Sequence, residues 1–446
     1  MRDLFLLLFV LGMVPVTFVR PQLGLMIWAW ISYMNPHRLT WSYAYDFRFN
    51  YLIAIATLLG ILLNKNIRIK ILLTPITFFW GMFILWTFFT YQFAINPNAA
   101  YLEMLRFYKI QVMIVVTFIL INDKIWINRL VTVIVLSIGF WGVKGGLFTI
   151  IHGGINRVYG PMYSFIEDNN SLALAVVMTI PYMGYLYRFS TKWFVRLGWL
   201  SLIIVCFASV LGSYSRGGLV GAIILTISFW QKSPRKILVG FAFLLGMYNF
   251  YIFMPAHWHE RMDALFMHDD QVLEDASVSG RFVAWNFALA VVKERPFVGG
   301  GFHAFSSYSF SIYAPGENLH DAHSIYFEII AEQGWVGFVL YICMYLLTYL
   351  KGMTIRISCR GHPDLKWAAD LGSMIQVSLL GYATCGIFLG MAYFDLPYHF
   401  LSIMVILGEV VKNEIKNKNI GGRRTVPKIS SSLFFNSEHN ALRAKD

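Results

Sequence analysis

Residues 194–236 read FVRLGWLSLIIVCFASVLGSYSRGGLVGAIILTISFWQKSPRK. Two apolar runs, 194–212 and 217–230, flank a short polar turn, Gly212-Ser213-Tyr214-Ser215-Arg216-Gly217-Gly218. A helix needs about 20 apolar residues to cross the hydrocarbon core of a bilayer. The first run has that length, and the second reaches it by extending into interfacial aromatic residues. The stretch therefore reads as two membrane-spanning helices. Arg188, Lys192 and Arg196 stand at one free end and Lys232, Arg235 and Lys236 at the other, whereas the turn holds Arg216 alone. Lys and Arg concentrate on the cytoplasmic side of membrane proteins, so the turn is expected on the outer face.

The pattern repeats along the chain. Further candidate spans are 51–63, 71–93, 109–121, 127–151, 169–187, 236–254, 323–350, 371–393 and 396–411. Residues 4–34 are too long for one span and short for two, with Arg20-Pro21 in the middle, so 12 or 13 transmembrane helices are expected in all. That N-terminal run reads as a retained membrane segment rather than a removed signal peptide, because no small-residue cleavage site follows it. Composition agrees. Of 446 residues, 57% are hydrophobic, 17% aromatic and 13% charged, against about 25% charged in soluble domains. The mean hydropathy is +0.59. A soluble enzyme, a disordered chain and a disulfide-stapled secreted domain are disfavoured. Cys206, Cys343 and Cys385 lie in apolar runs and Cys359 in a basic loop, so no structural disulfide is expected. The fold class is all-α, a polytopic membrane protein.

Charge sorts the loops into two alternating sets. One set, 64–70, 122–129, 188–196, 231–236, 351–366 and the tail from Lys412, holds 23 Lys and Arg; the other, 35–50, 94–109, 152–168, 212–216 and 255–322, holds 10. The first set is expected in the cytoplasm, together with a loose basic tail at 412–446. The domain reading is N-terminal membrane helices over 1–254, a periplasmic loop with amphipathic helices over 255–322, C-terminal membrane helices over 323–411, and the tail. The net charge of +12 then reflects sidedness and does not call for a nucleic-acid partner. Nine of the eleven histidines, His268 among them, fall on the outer side.

Several outer-face residues could carry chemistry. Arg216 opens a span, where free N–H groups and the positive helix end attract anions, and its guanidinium suits phosphate oxygens. It fits an anion ligand, or an arginine snorkelling to headgroups. Arg281 in Ser279-Gly280-Arg281 stands before an apolar pattern that reads as an amphipathic helix at the outer interface, with the same two readings. His320-Asp321-Ala322-His323-Ser324 precedes the span 323–350. A histidine in a first helical turn is held neutral by the positive field, as a general base requires; a polar cap with Asp321 as the capping residue fits too. No spacing matches a zinc motif, and no metal is expected. Lys144, within Trp141-Gly142-Val143-Lys144-Gly145-Gly146, is an intramembrane charge and a functional candidate by default. It could neutralise a phosphate or pair with a carboxylate, and its flanking glycines suggest tight packing or a broken helix. Arg157 and the run Glu167-Asp168-Asn169-Asn170 could line an acceptor or sugar groove, with Asn169 and His320 as further groove candidates. Arg106 and Lys109 stand near an outer helix start, and Asp395 reads as structural. With no Walker loop, dinucleotide fingerprint or G-x-S-x-G, no cofactor is expected.

The order Ser215-Arg216-Gly217, Ser279-Gly280-Arg281, Pro296-Phe297-Val298-Gly299-Gly300-Gly301, His323-Ser324-Ile325-Tyr326 and Ala331-Glu332-Gln333-Gly334-Trp335-Val336-Gly337 resembles the O-antigen ligase and polymerase superfamily of bacterial membrane glycosyltransferases. Asn35-Pro36-His37-Arg38-Leu39 and Asp168-Asn169-Asn170 resemble its O-glycosylation ligase branch, associated with the exosortase A system. Together these cover most of residues 1–411. The resemblance implies a GT-C-like helical fold in the bacterial inner membrane with a periplasmic active site. It further implies a glycan on undecaprenyl diphosphate as donor and metal-independent transfer to a hydroxyl of a lipid, protein or glycan acceptor. Arg216 and Arg281 match the family arginines that hold the diphosphate, and His323 matches the family histidine proposed as base; His320 precedes that motif and is not carried over. Two alternatives stand beside a ligase: a polysaccharide polymerase of the same superfamily, and a transporter or flippase of lipid-linked glycans without chemistry, in which Lys144 and the glycine-interrupted helices would mark a permeation path.

Overall fold

A computed structural model describes residues 1–69, 72–233, 235–263 and 276–424. Lys70, His268 and residues 425–446 of the expected tail lie outside the described residues. The fold is all-α, with no strand among the described residues. The first half supplies α1 (Arg2–Val19), α2 (Pro21–Met34), α3 (Phe49–Leu63), α4 (Pro75–Tyr91), α5 (Pro97–Leu120), α6 (Lys124–Ile151) and α7 (Asn169–Phe189). Next come α8 (Trp193–Gly212), α9 (Arg216–Lys232) and α10 (Lys236–Phe253), followed by α11 (Ala256–Asp263), α12 (Ala276–Glu294) and α13 (Ser307–Tyr313). The chain ends with α14 (Ile325–Ser358), α15 (Lys366–Cys385) and α16 (Asp395–Arg424). Six of these, α1, α6, α7, α8, α10 and α14, are long and apolar enough on their own to cross a membrane. The protein is an all-α polytopic membrane protein.

The ambiguous stretch 4–34 resolves into two helices. Asp3 accepts the backbone N–H groups of Ser42 at 3.0 Å and Ala44 at 3.2 Å. The start of α1 therefore lies beside the loop that follows α2. At the other end, the space where Gly60 would carry a Cβ is filled by the Thr17 carbonyl at 2.6 Å and the Pro21 ring at 3.1 Å. So α1 and α2 form an antiparallel hairpin turning at Arg20-Pro21, where proline suits the first position of a new helix.

The two loop sets gather at opposite ends. At the basic end, Arg188 pairs with Asp370 at 3.5 Å, Lys232 meets Ser373, Lys124 lies over Trp367, and Lys418 pairs with Asp364. At the other, here termed the loop end, Ile95 N–H donates to Gly300 O at 2.8 Å, Val158 N–H to Gly212 O at 3.2 Å, and Ile325 N–H to Gly386 O at 2.8 Å. The alternation read from charge is thus a property of the packing. One expectation shifts: α16 continues to Arg424, so the segment after Lys412 begins as helix rather than as loose tail.

The centre of the bundle is α7, buried along nearly all of Asn169–Tyr185. It packs against α6, α8, α9 and α15. Helix α10 has no buried residue and presents its side chains to the surroundings. The glycines flanking Lys144 have a packing role. A Cβ at Gly142, Gly145 or Gly146 would lie 2.5 Å from Cys206 Sγ, 2.4 Å from Ser209 Oγ and 2.0 Å from Val205 O. The strip lets α6 and α8 approach closely, and α6 is unbroken.

Candidate active site at the loop end

Two helices start at the loop end with the same local device. Tyr214 has φ +60°, followed by Ser215 as N-cap of α9; His323 has φ +43°, followed by Ser324 as N-cap of α14. A bulky residue in the left-handed region costs about 1–2 kcal/mol, so the surrounding packing must hold both turns. Ser215 Oγ accepts the Gly218 N–H at 3.0 Å, and Arg216 becomes the first residue of α9, 5% exposed. Its Nε donates to Arg261 O at 3.1 Å, and Arg261 Nε donates to Tyr214 O at 3.0 Å. This reciprocal pair ties the turn to α11. The Tyr214 hydroxyl donates to Gly154 O at 2.6 Å and lies 2.6 Å from His257 Nε2, with the two rings stacked. Asn169 Nδ2 donates to Ser213 O at 2.6 Å.

Arg281 comes from α12. This helix buries Ala284, Phe287, Ala288, Val291 and Val292 against Phe305, Phe310, Ile330 and Ala331. The expected amphipathic helix is therefore present, but its apolar face packs on protein. Arg281 sits in its second turn, five residues after the described start at Ala276. The Arg281 guanidinium lies 5.9 Å from the Phe388 ring, and the same ring bounds Gly217, whose Cβ would meet Phe388 Cβ at 3.4 Å. Two residues on, a Cβ at Gly390 would lie 3.6 Å from His323 N. The segment 386–390 is thus a common floor for the helix start at Arg216, for Arg281 and for His323.

His323 departs from expectation in two details. It precedes the cap instead of lying in the first helical turn, and the cap is Ser324, without a side-chain cap bond, rather than Asp321. The imidazole is still held below its usual pKa. Burial is the main cause, and the nearby Arg281 guanidinium is the second; Asp321 and Asp168 oppose them. His320 packs its ring on Gly280, where a Cβ would stand 2.8 Å away.

Behind His323 opens a cavity of about 420 Å³ lined by Glu103, Asp168, Asp321, Glu328 and Glu332 together with His303. Glu328 Oε2 accepts the Ala392 N–H at 2.9 Å, and Glu332 Oε1 the Ala304 N–H at 3.2 Å. The cavity is shaped by a strap. Gly300 N–H and Gly301 N–H donate to Ala331 O and Glu332 O, and Trp335 N–H donates to Pro296 O. Gly334 kinks α14 with φ +66°, and Phe297 O fills the place of a Cβ at 2.0 Å. Only glycine fits there. The two glycine motifs of the sequence are the two halves of this strap.

Residues 199–342 match a family model described as O-antigen ligase. That stretch is similar to the O-antigen ligase family. Residues 1–191 match a family of unknown function (DUF5935). No curated protein matches the chain.

Arg216, Arg281, His320 and His323 all fall in the O-antigen ligase stretch, and the fold gathers them at one end of the bundle. The other candidates come from residues 1–191. Arg157 lies over the Tyr214 ring at 5.8 Å, and Asn169 braces the turn before Arg216. Lys144 stands apart: it is exposed on α6 with its ammonium 4.7 Å over Trp141, away from the cavity behind His323. Sequence reasoning passed over Glu103, Glu328 and the bracing Arg261. Glu328 and Glu332 did carry a signal, as two acids one helical turn apart inside an apolar span. Among the described residues no three His, Cys, Asp or Glu side chains are grouped as a metal site.

Proposed function

We propose that the protein is a membrane glycosyltransferase of the ligase type. It moves a glycan from undecaprenyl diphosphate to an acceptor hydroxyl at the periplasmic face of the inner membrane, with inversion and without a metal. The observation that carries this reading is the common floor at 386–390. It joins two buried or half-buried arginine positions to an imidazole kept neutral, inside a stretch similar to the O-antigen ligase family. The basic residues of the opposite end support a periplasmic loop end and a cytoplasmic C-terminus.

In this scheme Arg216 and Arg281 bind the donor diphosphate. The acceptor O–H gives its proton to His323 as its oxygen attacks C1 of the sugar. The C1–O bond to phosphate breaks, its electron pair leaves on the diphosphate, and the new bond forms on the opposite face. Fixed guanidinium groups stabilise the charge that builds on the leaving group. Asp321 and Asp168, whose charges act to raise the His323 pKa, favour the imidazolium that forms as the proton is taken. An apolar cavity of about 360 Å³ between α14 and α15, lined by Ile325, Tyr326, Ile342, Leu346, Leu379 and Ala383, starts beside the cap of α14 and gives room for a lipid tail.

The test is reconstitution with a lipid-linked oligosaccharide and a choice of acceptors, followed by mass measurement. One added glycan with inverted anomeric configuration, unaffected by excess EDTA, is expected. A ladder of lengths would make the protein a polymerase. A loss restored by added metal would overturn metal independence, and movement of intact donor without transfer would make it a transporter.

A further inference from the structure

A second polar cavity, about 440 Å³, opens at the loop end beside the first. Its walls come from the end of α2, the start of α3, the middle of α5, the segment 163–165 and the start of α16. Nearly all of it lies in the stretch that matches the family of unknown function. Three of its lining residues each carry a buried atom that reaches no hydrogen-bond partner in the protein: His37 Nδ1, Asn50 Oδ1 and Asp395 Oδ1. Asp395 is only 2% exposed, and its other oxygen accepts Ser32 Oγ at 3.0 Å. Buried polar atoms in folded proteins are almost always paired, so three orphans clustered on the lining residues of one cavity mark a place where a small shift would let a ligand or ordered water complete the bonding. Two of the three are acceptor oxygens, which ask for hydroxyl donors.

The rest of the lining narrows the chemistry. Trp28, Tyr51, Tyr163 and Phe165 give ring faces, while Arg106 and Lys109 give positive charge. His37 adds none near neutral pH, because burial and then Arg38 lower its pKa to about 4. Aromatic faces with a few convergent polar groups are the usual make-up of a small-molecule site. Here the polar groups are oxygens for hydroxyls and cations for an anionic substituent.

The two cavities share a wall. Arg106 lies 3.7 Å over the Phe165 ring, Phe165 stands 5.9 Å from Phe394, and Glu103, one turn before Arg106 and 3.8 Å from it, lines the cavity behind His323. Likewise 163–165 borders one cavity and Asp168 the other.

We propose that this second cavity is a saccharide subsite for a sugar carrying an anionic group, a carboxylate or a phosphate. Asp395 and Asn50 hold hydroxyls, and Arg106 and Lys109 hold the anion. As a subsite for a glycan engaged at His323, it rests on the transfer reading; as a binding site, it does not.

The experiment is saturation-transfer NMR on the full chain in lipid nanodiscs, with methyl glucuronide, glucose 6-phosphate and methyl glucoside as probes. At least one anionic probe should bind at least tenfold more tightly than the neutral sugar, and the stronger of the two identifies carboxylate or phosphate. Arg106→Gln and Lys109→Gln, both on side chains outside the buried core, should each weaken the anionic probe about tenfold. Asp395→Asn should weaken all binding probes, with thermal unfolding run alongside; should that variant not fold, the two cation variants decide alone. No binding by any probe, equal binding of the neutral sugar, or unchanged affinity in both cation variants would overturn the proposal. A protein that binds the probes but transfers no glycan sinks the transfer reading alone. One that transfers glycan with probe binding absent sinks the subsite alone.

Discussion

The turns before α9 and α14 use one backbone device for opposite ends. In each, a bulky residue at positive φ precedes a serine N-cap. At Tyr214 the left-handed side chain is a strut: its ring stacks on His257, its hydroxyl binds Gly154 O, and it is 1% exposed. The next but one residue, Arg216, is then delivered to the site. At His323 the left-handed residue is itself delivered, into a cavity lined by acids. What differs is the wall each turn meets. α11 and the 154–155 segment close over Tyr214, whereas His323 looks onto open space. Strain of the same kind therefore serves positioning in one turn and presentation in the other.

The comparison breaks first at His323. His323→Gly should cut glycan transfer by about 10²–10⁴-fold, the usual worth of a general base, while donor binding stays within about twofold. The same change relieves the positive φ, so stability by thermal unfolding should stay within about 1 kcal/mol of the parent. Transfer at the normal rate would remove His323 as base, and an unfolded product would remove the strain argument. Next in size is Arg216→Ala, expected to lower transfer about 10²–10³-fold with weaker donor binding. Arg216→Lys should recover little, since an ammonium lacks the planar fork; unchanged donor affinity in Arg216→Ala would reject the assignment.

A smaller effect tests the link between Arg281 and His323. Because the His323 pKa is lowered, the neutral base persists below the usual imidazole range, and transfer should fail only as pH drops through that lowered value. Arg281→Gln removes one of the two main lowering causes, leaving burial. The acid limb of the pH–rate profile should therefore move to higher pH. An unmoved limb would separate the two residues. The smallest change is Tyr214→Phe, which deletes the hydroxyl bonded to Gly154 O but keeps the ring. A loss of about 1 kcal/mol in unfolding free energy is expected, with transfer per folded molecule near that of the parent. A large loss of transfer would mean that Tyr214, like His323, takes part in the chemistry.

Much of this was legible beforehand for a physical reason: the bilayer constrains sequence strongly. Backbone groups in lipid must pair within helices, so apolar runs mark the spans and charge marks their ends. The alternation at Lys65, Arg188, Lys232 and Lys351 against Arg38, Arg157 and Arg216 appears in the bundle as two opposite ends. Local pattern could not say whether 4–34 makes one pass or two, because the answer lies in Asp3 reaching Ser42 and Ala44. Nor could it tell that Lys144 faces outward beside Trp141, since which face of a span meets a neighbour depends on the partner helix.

The sequence by itself determined the helical membrane architecture, the two charge-sorted ends and the motif residues Arg216, Arg281 and His323. Each of these depends on hydropathy, charge or short spacing, which act locally along the chain. Only the tertiary structure decided that Phe388 and Gly390 floor the space between those motifs, that Glu103 and Asp168 join Glu328 and Glu332 in one cavity, and that His37, Asn50 and Asp395 face another. These groups are far apart in the chain, and only the packing of many helices at once brings them within reach of a shared ligand.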